Sequence, residues 1–159
     1  MADSGRIMFK VAENLYLASC RADTQKCAPG MVFICCCQSF CAPVRFPASL
    51  PPGTAPSGDT PRNFIPLANT EIPPYRAEDF NRYLDLIDQH LRQGKVVLVS
   101  EQGESRAPSL ALLWMVFRGR ILSRSSFAAA RSDFFRIYPQ YRPWPGWIIF
   151  FEQEWDAFR

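Results

Sequence analysis

The sequence predicts an α/β fold with a central, mostly parallel β-sheet flanked by α-helices. Two observations carry this prediction. Residues Val96 to Val99 form an uninterrupted apolar run, which is typical of a central parallel strand. Helical segments are predicted on both sides of it, from Arg76 to Gln93 and from Ser105 to Arg118. A buried strand between two helices is the expected pattern of a sheet covered by helices.

The other elements follow from shorter patterns. Pro66 limits its strand to an edge or a strand end, because proline cannot donate to a central ladder. The segment from Pro43 to Pro61 is rich in Pro, Gly, Ser and Thr and is predicted to be a flexible loop. In chain order, we predict a hairpin of two strands at 9–11 and 14–19, a short helix at 23–27, a buried strand at 31–37, a strand at 63–67, and helices at 123–135 and 146–158.

Length and composition indicate one domain over residues 1–159. A chain of 159 residues is of ordinary single-domain size, and a hydrophobic content of 48% is enough to form a core. The net charge of +3 is mild and the basic residues are scattered, which argues against nucleic acid or a membrane surface as a partner. No apolar run approaches the roughly 18 residues of a membrane span, and no signal-like segment follows Met1. We therefore expect an intracellular protein, located in the cytoplasm with the nucleus as a second compartment.

All six cysteines lie between Cys20 and Cys41, and three are consecutive at 35–37. Neighbouring residues of a strand point to opposite faces, so these three do not readily pair with one another. A zinc site needs a second Cys or His pair at short spacing, which is missing. We predict buried, reduced thiols and neither a metal nor a cofactor.

The segment between the apolar run and the next helix has the features of an anion site. A tight loop at a helix N-terminus presents backbone N–H groups and the positive end of the helix dipole. Arg106 would add a planar, permanently charged fork suited to two phosphate oxygens. The predicted phosphate-binding residues are Ser100, Glu101, Gln102, Gly103, Glu104, Ser105 and Arg106.

This loop resembles that of the cysteine-dependent phosphatases, in which His-Cys is followed by five residues and Arg. Counting back from Arg106 places the nucleophile position at Ser100 and the histidine position at Val99. Nearly the whole chain is similar to the small dual-specificity phosphatases. Asn14 to Ser19 resembles their opening strand, Phe64 to Asn69 the strand that enters the general-acid loop, and residues 142–151 the segment leading into the final helix.

The resemblance implies that catalysis is impaired, because the departures fall on chemical positions. Ser100 lacks the thiolate nucleophile, and Asn69 stands where the aspartic general acid is expected. Glu71 is an alternative acid. Ala107 replaces the usual hydroxyl residue, although the slow phosphatases of regenerating liver share the Arg-Ala-Pro sequence. His90 is the only histidine and is predicted near a helix end, facing solvent or capping the helix.

Three hypotheses follow. The first is a pseudophosphatase that binds phosphorylated protein partners, through phosphotyrosine or phosphoserine/threonine, without hydrolysing them. The second is an active or slow dual-specificity phosphatase captured as a Cys-to-Ser trap at Ser100. The third is a scaffold that binds proteins without phosphate. Glu101 and Glu104 weaken the first hypothesis if their carboxylates approach the site.

Two further sets of residues, the aromatic residues near the last helix and the arginines between residues 118 and 136, are interpreted as structural rather than functional. The aromatic residues of the last helix are predicted to pack into the core, and Trp144 is predicted to do so too, with exposure beside the loop as the alternative. The arginines between residues 118 and 136 are predicted to form a solvated face, with a second anion contact from one of them left open.

Overall fold

A computed structural model describes residues 8–19, 31–36, 62–65, 67, 75–100 and 102–159. None of the helices in these ranges is long and apolar enough to cross a bilayer. The strands are β1 (Phe9–Ala12), β2 (Leu15–Ser19), β3 (Met31–Cys35), β4 (Arg62–Phe64) and β5 (Lys95–Ser100). The helices are α1 (Ala77–Leu91), α2 (Arg106–Phe117), α3 (Phe127–Ile137) and α4 (Pro145–Glu154), followed by a short 3₁₀ helix (Trp155–Ala157).

The five strands form one sheet in the order β1-β2-β5-β3-β4. Strand β5 lies at its centre and pairs in parallel with β2 and β3, so Leu98 is opposite both Leu17 and Ile34. Among the strand pairs of the described residues, β1 and β2 are the one antiparallel pair. Val96 to Val99 are fully buried, as expected of a strand covered on both faces. The predicted mostly parallel α/β sheet is confirmed, and β4 takes the predicted edge position.

The helices cover the sheet in different ways. Helix α1 buries one stripe, which includes Phe80, Leu84 and Ile87 at helical spacing. Helix α2 is buried on almost every side, since Trp114 is the one residue of its twelve that is not buried. It packs against β2 and β5 and also against α1 and α3. The residues that follow the 100–106 loop are therefore anchored in the core.

Aromatic side chains from α1 and α4 dominate that core. The Phe80 ring contacts six other rings, among them Trp147 at 5.6 Å and Phe151 at 5.8 Å between ring centroids. The burial predicted for the last helix is confirmed. The prediction for Trp144 is wrong: its side chain is 45% exposed, because it occupies the N-cap of α4 ahead of Pro145 rather than the buried face.

Element boundaries differ from expectation for local reasons. The helix predicted at 123–135 begins at Phe127, because the Ser126 hydroxyl accepts the Ala129 N–H at 3.0 Å and caps it. The helix predicted at 146–158 changes to 3₁₀ geometry at Trp155. The strand predicted at 63–67 ends at Phe64. The predicted helix at 23–27 and loop at 43–61 lie outside the described residues.

Cys35 and Cys36 are fully buried, and the Cys36 thiol lies 3.6 Å from the carbonyl oxygen of Ile34. This agrees with the interpretation of these two cysteines as small apolar residues. The other four lie outside the described residues. Within the described part of the chain, no three His, Cys, Asp or Glu side chains cluster as metal ligands would.

Candidate functional site

The segment from Ser100 to Arg106 joins the end of the central strand to the start of α2. Its neighbours β2 and β3 end at the same edge, where Ser19 lies opposite Ser100 and Cys35 opposite Val99. Open parallel sheets bind ligands at the carboxyl ends of their strands, in front of the helices that follow. The fold thus places this loop where a ligand is expected. Glu101 lies outside the described residues.

Gly103 has a backbone φ of +73°, which side chains other than glycine rarely adopt. A Cβ atom there would lie 3.5 Å from the Cβ and backbone N of Ser19, an ordinary contact. The need for glycine is therefore conformational rather than steric. Gly103 turns the chain from the strand into the helix.

The segment between α3 and α4, residues 138–144, fixes the loop by hydrogen bonds. The Tyr138 hydroxyl donates to the Gly103 carbonyl oxygen at 2.7 Å. The Arg142 N–H donates to the Glu104 carbonyl oxygen at 2.8 Å, and the Trp144 N–H donates to the Ser105 hydroxyl oxygen at 3.0 Å. These bonds engage the acceptors of three consecutive loop residues, which fixes the loop against α3 and α4.

The backbone N–H donors of the loop, in contrast to its acceptors, are not all occupied. The backbone N–H groups of Gly103 and Glu104 donate no hydrogen bond to any described residue. The first turn of α2 contains no acidic side chain, and the nearest carboxylate in the described sequence before it is that of Glu104, ahead of the N-cap residue Ser105. The hydrogen-bond acceptors of the loop are thus occupied, whereas the N–H groups of Gly103 and Glu104 remain available as donors at the positive end of the α2 dipole. This combination suits the binding of an anion.

Arg106 opens α2 and is only 7% exposed. Its Nη1 atom donates to the carbonyl oxygen of Leu67 at 3.3 Å. This contact joins the arginine to the segment that follows β4, two residues before Asn69 in sequence. The guanidinium is therefore held in place by the backbone of a neighbouring segment.

Ser100 is 1% exposed, and its hydroxyl has no hydrogen-bond partner among the described residues. An unsatisfied buried hydroxyl costs about 1–3 kcal/mol and calls for an explanation. A ligand in the loop would supply the missing partner.

Three solved structures share the fold of this chain over nearly their whole length. The human tyrosine phosphatase-like serine/threonine/tyrosine-interacting protein aligns over 96% of this chain and 97% of its own, with 17% identity and a TM-score of 0.71. Human DUSP28 aligns over 94% and 93%, with 17% identity and a TM-score of 0.68. A mouse putative dual specificity phosphatase complexed with zinc tungstate aligns over 99% and 93%, with 13% identity and a TM-score of 0.70.

The chain has the dual-specificity phosphatase fold. No protein-family model and no curated protein sequence matches it. The likeness of structure confirms the fold implied by the sequence resemblance.

In this phosphatase fold, Ser100 and Arg106 take the two ends of the loop, as the spacing predicts. Asn69 and the alternative acid Glu71 lie outside the described residues, so their roles stay predictions. Val99, at the histidine position, is fully buried in β5. An apolar side chain there supplies neither a proton acceptor nor a donor to the loop.

His90 lies at the opposite end of the sheet from the loop. It is in the last turn of α1, and its carbonyl oxygen accepts the Gly94 N–H at 3.1 Å, immediately before β5 begins. From Lys95 to Ser100 the strand runs about 16 Å, at roughly 3.3 Å per residue. The imidazole is therefore too remote to deprotonate Ser100, and burial lowers the pKa of His90.

The residues that hold the loop were missed by sequence reasoning. Tyr138 has a pKa raised by burial and then by the Glu104 carboxylate, so its phenol stays protonated and keeps donating to the loop. One turn into α2, the hydroxyls of Ser109 and Tyr141 are 2.8 Å apart and buried. The aromatic cluster at 138–144 was the available signal, but nothing in its spacing indicates which loop atom each residue meets.

Proposed function

We propose that the chain is a pseudophosphatase that binds a phosphorylated protein partner in the 100–106 loop and does not hydrolyse it. The observation that carries the proposal is the state of Ser100. A buried hydroxyl without a partner among the described residues stands at the nucleophile position of a loop that is otherwise held in place.

Binding is supported by the division of donors and acceptors in the loop. The Gly103 and Glu104 carbonyl oxygens accept bonds from residues 138–144, whereas the backbone N–H groups of the same two residues donate to no described residue. A phosphate dianion needs donors and positive potential, which the start of α2 and Arg106 supply. Tungstate in the mouse structure of the same fold is also a tetrahedral oxyanion.

The absence of turnover is supported by the chemistry at Ser100. Phosphoryl transfer to a hydroxyl needs an adjacent base, and the only histidine of the chain lies about a strand length away. Val99 adds no acid or base. Asn69, at the position where the resemblance implies a general acid, cannot donate a proton to the leaving group.

Two other functions are kept as alternatives. In the first, a dual-specificity phosphatase is captured as a Cys-to-Ser trap at Ser100. In the second, the domain is a scaffold that binds proteins without phosphate, which is favoured by the burial of Arg106 and its bond to the Leu67 carbonyl oxygen. In the trap the 100–106 loop still binds phosphate, whereas in the scaffold it does not.

We also propose that residues 1–159 form a single domain in the cytoplasm. The hydrophobic core supports the first statement, because it includes residues from Val11 in β1 to Phe158 near the chain end. The sequence interpretation of the cysteines as buried, reduced thiols supports the second statement, because reduced thiols are typical of the cytosol.

The first test measures phosphate binding directly, by calorimetric titration of the chain with inorganic phosphate and with a phosphotyrosine peptide. We expect binding that Arg106→Ala abolishes and Arg106→Lys weakens, since lysine keeps the charge without the fork. Partner binding that survives Arg106→Ala would support the scaffold instead.

The second test asks whether the loop still holds phosphate in attack geometry. We expect the Ser100→Cys variant to release a burst of up to one equivalent of phenolate from an activated aryl phosphate, because such a leaving group needs little acid assistance. The chain with Ser100 and a Ser109→Cys control, whose thiol lies one turn into α2, should give none. The absence of a burst from Ser100→Cys would mean that the loop no longer binds phosphate productively. Multiple turnover on a phosphoprotein by Ser100→Cys would support the trap.

A further inference from the structure

A second candidate binding surface lies on the outer side of α3. It is a groove of about 460 Å³, lined along α3 from Phe127 to Arg136 and closed on one side by Glu152 of α4. This volume falls within the range of roughly 300–1,000 Å³ that is usual for ligand sites. None of its lining residues belongs to the 100–106 loop or to residues 138–144, so the groove is separate from the site proposed above.

The groove is rich in exposed apolar surface. Phe135, which lines it, is 52% exposed. Ile149 is also 52% exposed and lies three residues before Glu152 on α4, which places the two on one face of that helix. Of the four large apolar side chains that are exposed in the described part of the chain, Phe135 lines the groove and Ile149 lies one helical turn from the lining residue Glu152. Exposed apolar side chains gathered in one place indicate a docking site more strongly than isolated ones.

The charges of the groove are unbalanced. Arg131 and Arg136 line it and form no ion pair with any described residue. The single acidic residue among the lining residues is Glu152. The surrounding sequence strengthens the imbalance, because residues 118–142 contain six arginines and one acidic residue, Asp133. The Asp133 carboxylate is already occupied by the Ser123 N–H at 3.0 Å.

We propose that this groove docks an acidic peptide segment of a protein partner, anchored by an aromatic or aliphatic side chain. The two arginines are five residues apart on a helix, which separates them by about 7.5 Å along its axis. Alternate residues of an extended peptide lie about 6.6 Å apart on one face, which is close to the axial separation of the two arginines. Phe135 lies between the two arginines along the helix axis, so an apolar side chain next to the acidic pair can contact its ring. Arginine and aromatic side chains are also the residues that dominate binding energy at interfaces.

The test uses a labelled ten-residue peptide with Glu, Glu and Phe at alternate positions, titrated into ¹⁵N-labelled protein. We expect amide shift changes at residues 127–136 and 149–152, and none at 100–106. The R131E/R136E variant should bind at least about tenfold more weakly, and so should Phe135→Ser. The R92E/K95E variant changes the net charge equally outside the groove and should bind as the unsubstituted chain does. Circular dichroism checks that each variant is folded.

Several outcomes would overturn the proposal. Equal weakening by R131E/R136E and R92E/K95E would mean that net charge alone attracts the peptide, and equal binding of a Lys-for-Glu peptide would remove the charge argument. Shift changes confined to the loop would place the peptide in the phosphate site. Concentration-dependent dimers abolished by Phe135→Ser would make a second copy the occupant, and co-sedimentation with phosphatidylserine vesicles abolished by R131E/R136E would make it a membrane. Inorganic phosphate binding should be unchanged in R131E/R136E, so failure of this proposal leaves the pseudophosphatase proposal standing.

Discussion

Gly103 shows how one residue determines the shape of the loop. Its φ of +73° lies in the left-handed region, which costs most other residues about 1–2 kcal/mol. We expect Gly103→Ala to lower the free energy of unfolding by this amount and to weaken phosphate binding. Gly103→Asn should cost less, since asparagine tolerates this region better than alanine. Urea denaturation compares the two. Equal losses for both variants would show that the cost is steric rather than conformational.

His90 provides a residue-scale prediction about pH. Its folded pKa lies below the ordinary value near 6.5 because burial disfavours the charged ring. As the pH falls below about 6.5, the unfolded chain takes up this proton before the folded chain does, so stability decreases on acidification until the folded pKa is passed.

We therefore expect the unsubstituted chain to lose more stability between pH 7.5 and pH 5 than His90→Gln, which has no imidazole to protonate. Denaturant midpoints of the two proteins across this range measure the difference. Since His90 is the only histidine, no other imidazole contributes. A smaller loss in the unsubstituted chain than in His90→Gln would mean that a favourable charge interaction of the protonated ring outweighs burial.

At the scale of elements, the connection between α3 and α4 acts as the support of the loop. Tyr138→Phe removes the donor to the Gly103 carbonyl oxygen and leaves that acceptor unsatisfied, at a cost of about 1–3 kcal/mol. We expect it to weaken phosphate binding as well as stability. Tyr141→Phe is the matched control, because its hydroxyl meets Ser109 in α2 instead of the loop. Tyr141→Phe should lower stability with little effect on phosphate binding, and calorimetry separates the two effects. Equal effects on binding would mean that Tyr138 acts through general stability alone.

At the scale of the whole molecule, the aromatic core joins the first helix to the last. Phe80 is 1% exposed and touches rings on α4 and near the chain end. We expect Phe80→Ala to cost about 3–5 kcal/mol, which is a large fraction of a domain's stability. Phe135→Ala should change the unfolding free energy by no more than about 0.5 kcal/mol, because its ring is half exposed. Thermal unfolding of both variants tests the contrast. A small loss for Phe80→Ala would mean that the aromatic cluster repacks around the cavity.

The same core explains which sequence predictions were confirmed. The central strand and the helix at 76–93 were predictable because burial imposes a regular period on apolar residues, and the period is local. The position of the loop followed from its place between such elements. The start of α3 and the change to 3₁₀ geometry at Trp155 were missed, since one cap bond and the packing of the chain end decided them.

The sequence by itself determined the α/β class, the central strand, and a loop that has an arginine but neither a thiol nor a neighbouring histidine. These are properties of residue type and spacing. The tertiary structure alone decided that β5 lies between β2 and β3, that Tyr138 and the 142–144 backbone hold the loop, and that His90 lies at the far end of the sheet. It also decided that Trp144 is exposed and that Arg131 and Arg136 share a groove with Phe135. Such contacts join residues far apart in the chain, so they depend on how the elements pack and not on the local pattern that forms each element.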